Sequence, residues 1–112
     1  MNSQKVINLL TICRKAGKLV TGFDVSLEAV INGSSKCLLI ASNTSPKTVK
    51  EVKYQLKDKG LENSVVVLNM PLTIQDVANY INVSAGIIAI CDTGFSTSFE
   101  KLLTDNSWFD TD

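Results

Sequence analysis

The sequence predicts an α/β sandwich, with a small and mostly buried sheet held between layers of helix. Three observations predict it. Near-continuous apolar runs of strand length, "CLLIAS", "SVVVLN" and "AGIIAIC", read as strands covered on both faces. Segments with apolar residues three and four apart alternate with those runs. The connections are short, with no linker and no internal repeat. One domain is therefore expected over residues 1–105, followed by a tail at 106–112.

Each element has its own signals. "SQKVINLLTICRKAG" places Val6, Ile7, Leu9, Leu10, Ile12 and Cys13 mostly at helical spacing, with Ser3 as a start signal and Gly17 as a stop. "KLVT" is short and β-prone. From Phe23 the residues Leu27, Val30 and Ile31 continue a helical stripe, which ends at Asn32-Gly33. After "CLLIAS", Ser45 is an N-cap and Pro46 suits the first helical position. Val49, Val52 and Leu56 form that helix's inner stripe, and Gly60 closes it. "SVVVLN" follows as a buried strand. "TIQDVANYI" is a short helix with Thr73 as cap and Asp76 three residues on, a capping box. "AGIIAIC" is the next strand. "GFSTSFEKLLTD" is a final amphipathic helix, with Phe95, Phe99, Leu102 and Leu103 on its inner side. In the tail, Trp108 and Phe109 are apolar enough to dock on the body.

Composition limits the function classes. The chain has 112 residues, 45% of them apolar, enough for a core without disulfides or metal. No apolar run is long enough to span a bilayer, and "MNSQKVINLL" does not read as a signal peptide. The three cysteines, Cys13, Cys37 and Cys91, are far apart and odd in number, and there is no histidine. That argues against a disulfide framework and a Cys/His zinc site, and for buried free thiols in a reducing cytoplasm. The net charge is zero, yet it is unevenly spread. Residues 1–60 carry ten Lys/Arg and four acids, whereas residues 61–112 carry one Lys and seven acids. Such asymmetry predicts a basic face and an acidic face, unless folding mixes the halves.

Catalytic patterns are missing. There is no GxxxxGK[ST] loop, no GxGxxG and no GxSxG turn. Without histidine the usual general base is absent. Asp92 follows a strand, as a phosphoacceptor would, but the other strand exits read "ASNTS" and "LNMP", with no acids to hold magnesium. The residue set predicts neither an enzyme nor a cofactor, and no small-molecule substrate.

Binding remains. A helix N-terminus offers unpaired N–H groups and partial positive charge to phosphates, and Gly22 opens one helix just after Arg14, Lys15 and Lys18. Two readings of that stretch stay open: an approach to an anion, or a helix end with solvated cations. Lys47, Lys50, Lys53 and Lys57 read as the solvated face of an amphipathic helix.

"AGKLVTGFDVSLEAVINGSSKCLLIASNTSPKTVKEV" and "GIIAICDTGFSTSFEKLL" resemble the ribosomal protein L-seven-Ae / L-thirty-e superfamily, in particular its bacterial YlxQ-like branch. The resemblance covers residues 4 to 104 in order. It implies a three-layer α-β-α sandwich with a small mixed sheet, and a non-enzymatic, cytoplasmic partner of structured RNA, ribosomal or kinked. Kink-turn binders of the family carry Gly-x-Asn-Glu-x-x-Lys, then Ala and an apolar residue. Here Gly22, Ala29 and Val30 match, but Asp24, Val25 and Glu28 stand at the Asn, Glu and Lys positions. In those binders the Asn and Glu read sheared guanines and the Lys meets phosphate or base. Val25 cannot hydrogen-bond a base edge, Asp24 can only accept, and Glu28 repels phosphate.

The resemblance assigns RNA contact to Lys18, Thr21, Gly22, Phe23, Asp24, Val25, Glu28, Lys36, and the loop residues Ser84, Ala85 and Gly86. Ala78 and Asn82 stand near the places of family glycines in the preceding helix. The main expectation is an RNA-binding protein with a degenerate kink-turn signature. The alternative is a protein-interaction or structural module of the same fold that has lost RNA recognition.

Overall fold

Helix α1 (Ser3–Lys15) turns Val6, Ile7, Leu10 and Cys13 inward and stops at Gly17. There Lys18 N–H bonds the Cys13 carbonyl and Gly17 N–H the Arg14 carbonyl, both at 3.0 Å, which satisfies the last turn. These positions come from a computed structural model of the chain, which describes residues 3–104; the tail at 106–112, with Trp108 and Phe109, lies outside the described residues. The remaining elements follow in the expected order: β1 (Leu19–Thr21), α2 (Phe23–Ile31), β2 (Cys37–Ile40), α3 (Pro46–Asp58), β3 (Val66–Asn69), α4 (Ile74–Ile81), β4 (Ile87–Ile90) and α5 (Thr93–Thr104).

The four strands form one mixed sheet in the order β1-β4-β2-β3. β4 pairs antiparallel with both β1 and β2, and β2 pairs parallel with β3 across the α3 connection. The pairing of Leu19 and Cys37 with Ile90 fixes one end of the sheet. The pairing of Thr21 with Ile88 and Ile40 with Ile87 fixes the other. The strands are so short that about 10 Å separates the two ends.

Period-two alternation sorts the strand side chains between two cores. Cys37, Leu39, Ile88 and Ile90 face a layer built by α1, α4 and α5. Leu38, Ile40, Ile87 and Ala89 face α2 and α3. The predicted three-layer α-β-α sandwich with a small mixed sheet is the architecture found.

Two expectations of burial change. β3 is an edge strand, so Val66 and Val67 are only half-buried and Asn69 is exposed. Ile31, placed on the inner stripe of α2, is 44% exposed. Ser26 takes the inward position instead, fully buried, because α2 packs closely on β4 and a small side chain fits there. A further serine clasps the sheet. Ser35 Oγ donates to the Ile90 carbonyl at 2.7 Å and accepts the Cys37 N–H at 3.3 Å, so a hydroxyl that is 2% exposed ties the start of β2 to the end of β4.

The Thr73 capping box forms as predicted. Asp76 N–H bonds Thr73 Oγ1 at 3.0 Å and Thr73 N–H bonds Asp76 Oδ2 at 2.9 Å. Ser45 caps α3, its Oγ accepting from Thr48 N–H at 3.2 Å, with Pro46 at the first turn.

Candidate nucleic-acid interface

The antiparallel register decides which of the predicted contact residues meet. Gly22 follows the far end of β1, and its N–H bonds the Ile87 carbonyl at 2.9 Å. Gly86 stands just before Ile87, and its carbonyl accepts Ala41 N–H at 2.9 Å. The start of α2, the 82–86 loop and the 41–45 loop therefore share one end of the sheet. Lys18 and Lys36 do not. They precede Leu19 and Cys37, both paired with Ile90, and so lie at the opposite end with Arg14 and Lys15. Arg14 and Lys15 occupy the last turn of α1, where positive charge answers the helix dipole.

At Gly22 the backbone takes φ 101° and ψ 156°, a region essentially closed to side chains. This lets the chain leave β1, pair once more with β4 and enter α2 within a single residue. Gly22 carries no side-chain cap, so no side chain hydrogen-bonds the first N–H groups of α2, although the Asp24 carboxylate stands in that first turn. Thr21 and Phe23 flank it half-buried, and Phe23 packs against the core under α2.

The three departures from the kink-turn signature come together. Asp24, Val25 and Glu28 line one open groove along α2, together with Val20, Ala29, Asn32, Ser34 and Cys91. All three are exposed, Val25 by 54%. The groove therefore presents two carboxylates and an apolar rim where kink-turn binders present an amide, a carboxylate and an ammonium. Phosphate is disfavoured on that flank.

The 82–86 loop is well braced. Asn82 adopts the left-handed conformation, φ 61° and ψ 32°, and its N–H bonds the Ala78 carbonyl at 3.0 Å. Asparagine tolerates this geometry, so it supplies the turn that a glycine otherwise would. Thr44 Oγ1 donates to the Gly86 carbonyl at 3.1 Å. A Cβ on Gly86 would lie 2.7 Å from that same Oγ1, so glycine is required by close approach. Asn43 joins the brace, accepting Ile74 N–H at 2.8 Å and donating to Gln75 Oε1 at 3.0 Å. Ser84 is exposed and Gly86 half-buried, but Ala85 is only 8% exposed. Its methyl turns inward, which corrects the expectation that all three residues present a packing surface for bases.

Next to this end, α3 starts. Lys47, Lys50, Lys53 and Lys57 are exposed, as is Tyr54 among them at 62%. Sequence reasoning missed Tyr54, because helical spacing places it on the lysine face but only the folded chain shows that nothing covers it. Thr44 was missed as well, since no local pattern announces a hydroxyl that touches a residue 42 positions away.

Asp92 is a helix cap. Its Oδ2 accepts the Phe95 N–H at 2.9 Å. The exits of β2 and β3 lie at the other end of the sheet, so no strand-end acid joins it. The cysteines are free, with Cys13 and Cys37 buried. Burial pushes the Cys13 thiol up to about 11, with Asp92 and Cys91 adding to the rise, and the Cys37 thiol up to about 12, with Glu100 and Cys13 adding. Burial raises Cys91 as well. Thiols held protonated in this way are poor nucleophiles. Among the described residues no group of three or more His, Cys, Asp or Glu could hold a metal ion, and no helix is long and apolar enough to cross a membrane.

No family model matches the chain. It is 28% identical over 102 residues to the RNA-binding protein YlxQ of Enterococcus faecium, covering 91% of this chain and 94% of that protein. A Bacillus halodurans protein of unknown function shares the fold with a TM-score of 0.74 at 23% identity, over 86% of this chain and 93% of that one. The Giardia lamblia 15.5 kD RNA-binding protein shares it with a TM-score of 0.70 at 16% identity, over 92% and 88%. The chain therefore shares the fold of these two structures and is similar over nearly its whole length to an RNA-binding protein YlxQ.

Proposed function

We propose that the chain is a non-enzymatic, cytoplasmic RNA-binding protein, associated with the ribosome and related to kink-turn binders whose reading groups it has partly exchanged. The observation that carries this reading is the shared end of the sheet. There an uncapped helix start opened by Gly22 faces the same way as the braced 82–86 loop. That pairing suits hydrogen bonds from the free N–H groups of the helix start, beside Asp24, and unstacked bases against the loop. The YlxQ relative and the Giardia neighbour, both named for RNA binding, support it. The raised thiols and the absence of histidine support the non-enzymatic part.

The Asp24–Val25–Glu28 groove favours a second reading, a protein-interaction module that has lost RNA recognition. One titration separates the two. Purified protein is mixed with a kink-turn RNA and with an unkinked duplex at two salt concentrations. Binding that is stronger for the kinked RNA and weakens with salt is the expected result. Absence of binding to either RNA at low salt favours the interaction module. Replacing Asp24→Asn, Val25→Glu and Glu28→Lys together is expected to raise kink-turn affinity at least tenfold. An unchanged affinity rejects α2 as the contact helix.

A further inference from the structure

The α2 groove is acidic and apolar, whereas the strongest basic surface of the molecule lies on α3. At about 100° per residue, Lys47, Lys50, Lys53, Tyr54 and Lys57 fall within a sector of about 120°, opposite the buried Val52 and Leu56. From Lys47 to Lys57 the stripe runs about 15 Å along the helix. Two carboxylates border the stripe, Glu51 one turn after Lys47 and Asp58 beside Lys57, and Glu51 Oε2 also accepts from Gln55 Nε2 at 2.9 Å, so the face keeps an excess of positive charge. No ion pair involves these four lysines among the described residues.

The stripe is also continuous with the end of the sheet described above. Thr44, bonded to the Gly86 carbonyl, is followed directly by the Ser45 cap and the first turn of α3, which carries Lys47. A strand of nucleic acid leaving the 82–86 loop thus meets Lys47 first and the rest of the stripe after it.

We propose that the outer face of α3 is a second RNA-contacting surface, in which Lys47, Lys50, Lys53 and Lys57 hold the backbone phosphates and Tyr54 stacks on an unpaired base. This rests on the RNA-binding reading and names the surface that supplies most of the affinity. Charge complementarity selects a polyanion: four ammonium groups against two bordering carboxylates leave a net positive stripe that matches a run of phosphates. The exposed ring selects a nucleic acid over an acidic protein, because a base offers a π-face and a carboxylate chain does not. Lysines with no fixed partners give affinity without sequence choice, so the surface extends the grip on RNA and leaves base reading to the 82–86 end.

The test uses the full chain and a kink-turn RNA with a single-stranded extension. The variant Lys47→Gln/Lys50→Gln/Lys53→Gln/Lys57→Gln keeps helix-forming side chains at exposed positions, and circular dichroism verifies the fold. Its affinity is expected to fall at least tenfold at about 0.1 M salt. The slope of log affinity against log salt is expected to flatten by about 3, at roughly 0.7 for each of the four phosphates that are no longer neutralised. Tyr54→Ala is expected to weaken binding about fivefold or more, with Tyr54→Phe restoring it. If the native chain binds and the lysine variant matches it in affinity and slope, the α3 proposal falls while the RNA reading stands. If the native chain binds no RNA at low salt, both fall. If polyglutamate at matched charge displaces the RNA as well as free RNA does, the stripe belongs to an acidic protein and the proposal is overturned.

Discussion

Gly22 shows how much one residue can determine. A Cβ there would meet nothing within 4 Å, so crowding does not explain the glycine. The backbone does: φ 101° with ψ 156° is open to glycine and strained for any side chain. Gly22→Ala is expected to lower stability by about 1–3 kcal/mol. In a domain of this size that is a fall of roughly 4–8 °C in Tm per kcal/mol, read by thermal denaturation. A loss below about 0.5 kcal/mol would mean that the β1–α2 junction relaxes to an ordinary conformation. The sequence marked Gly22 as a helix opener. Its positive φ comes from the need to bond Ile87 and start α2 in consecutive residues, a constraint visible only with β4 in place. Gly86 differs: Thr44 crowds it from outside, and that crowding has no trace in the local sequence.

At the scale of elements, local chemistry was sufficient wherever an element ends itself. The Ser45-Pro46 start, the Thr73–Asp76 box and the Asn32-Gly33 exit all follow from side chains bonding to backbone two to four residues away. Thr73→Ala removes the acceptor for Asp76 N–H and is expected to cost about 1 kcal/mol, measured by urea denaturation. The consequence reaches further, because the start of α4 also anchors Asn43 and with it the 41–45 loop that braces Gly86. The same variant is therefore expected to speed amide exchange across residues 41–45; unchanged exchange there would show that the loop holds without α4. Burial was less legible than element type. Which face of β3 is covered depends on its being an edge strand, and strand order is not written in any one strand. Ile31 likewise left its expected environment while Ser26 is fully buried, because the distance of α2 from β4 decides what fits between them.

On the whole-molecule scale, the charge asymmetry between the two halves of the chain does not become two clean faces. The basic end of α1 packs in the layer of α4 and α5, and Asp24 and Glu28 share a layer with the lysines of α3. The buried thiols give a property of the entire fold. Cys13 and Cys37 are raised from about 9 to about 11 and about 12, so the folded chain keeps protons that the unfolded chain releases. Stability from these groups is thus fully present below pH 9 and is lost progressively as pH rises toward 12. The urea midpoint is expected to fall over that range. In Cys37→Ala, which starts from a lower midpoint, the fall is expected to be shallower; an identical pH profile would show that Cys37 ionises freely in the folded state.

By itself the sequence determined the kinds and order of the elements, the three-layer class and the family resemblance, because periodicity, caps and turn residues act over a few positions. It also marked Asp24, Val25 and Glu28 as departures from the kink-turn signature of the family it resembles, since those are differences of side-chain chemistry. The tertiary structure alone decided which of the predicted RNA-facing residues meet. Antiparallel pairing with β4 sends Lys18 and Lys36 to one end of the sheet and Gly22, Ser84 and Gly86 to the other. It also left Tyr54 uncovered among four lysines. Strand register and layer packing act between residues far apart in the chain, and no local pattern encodes them.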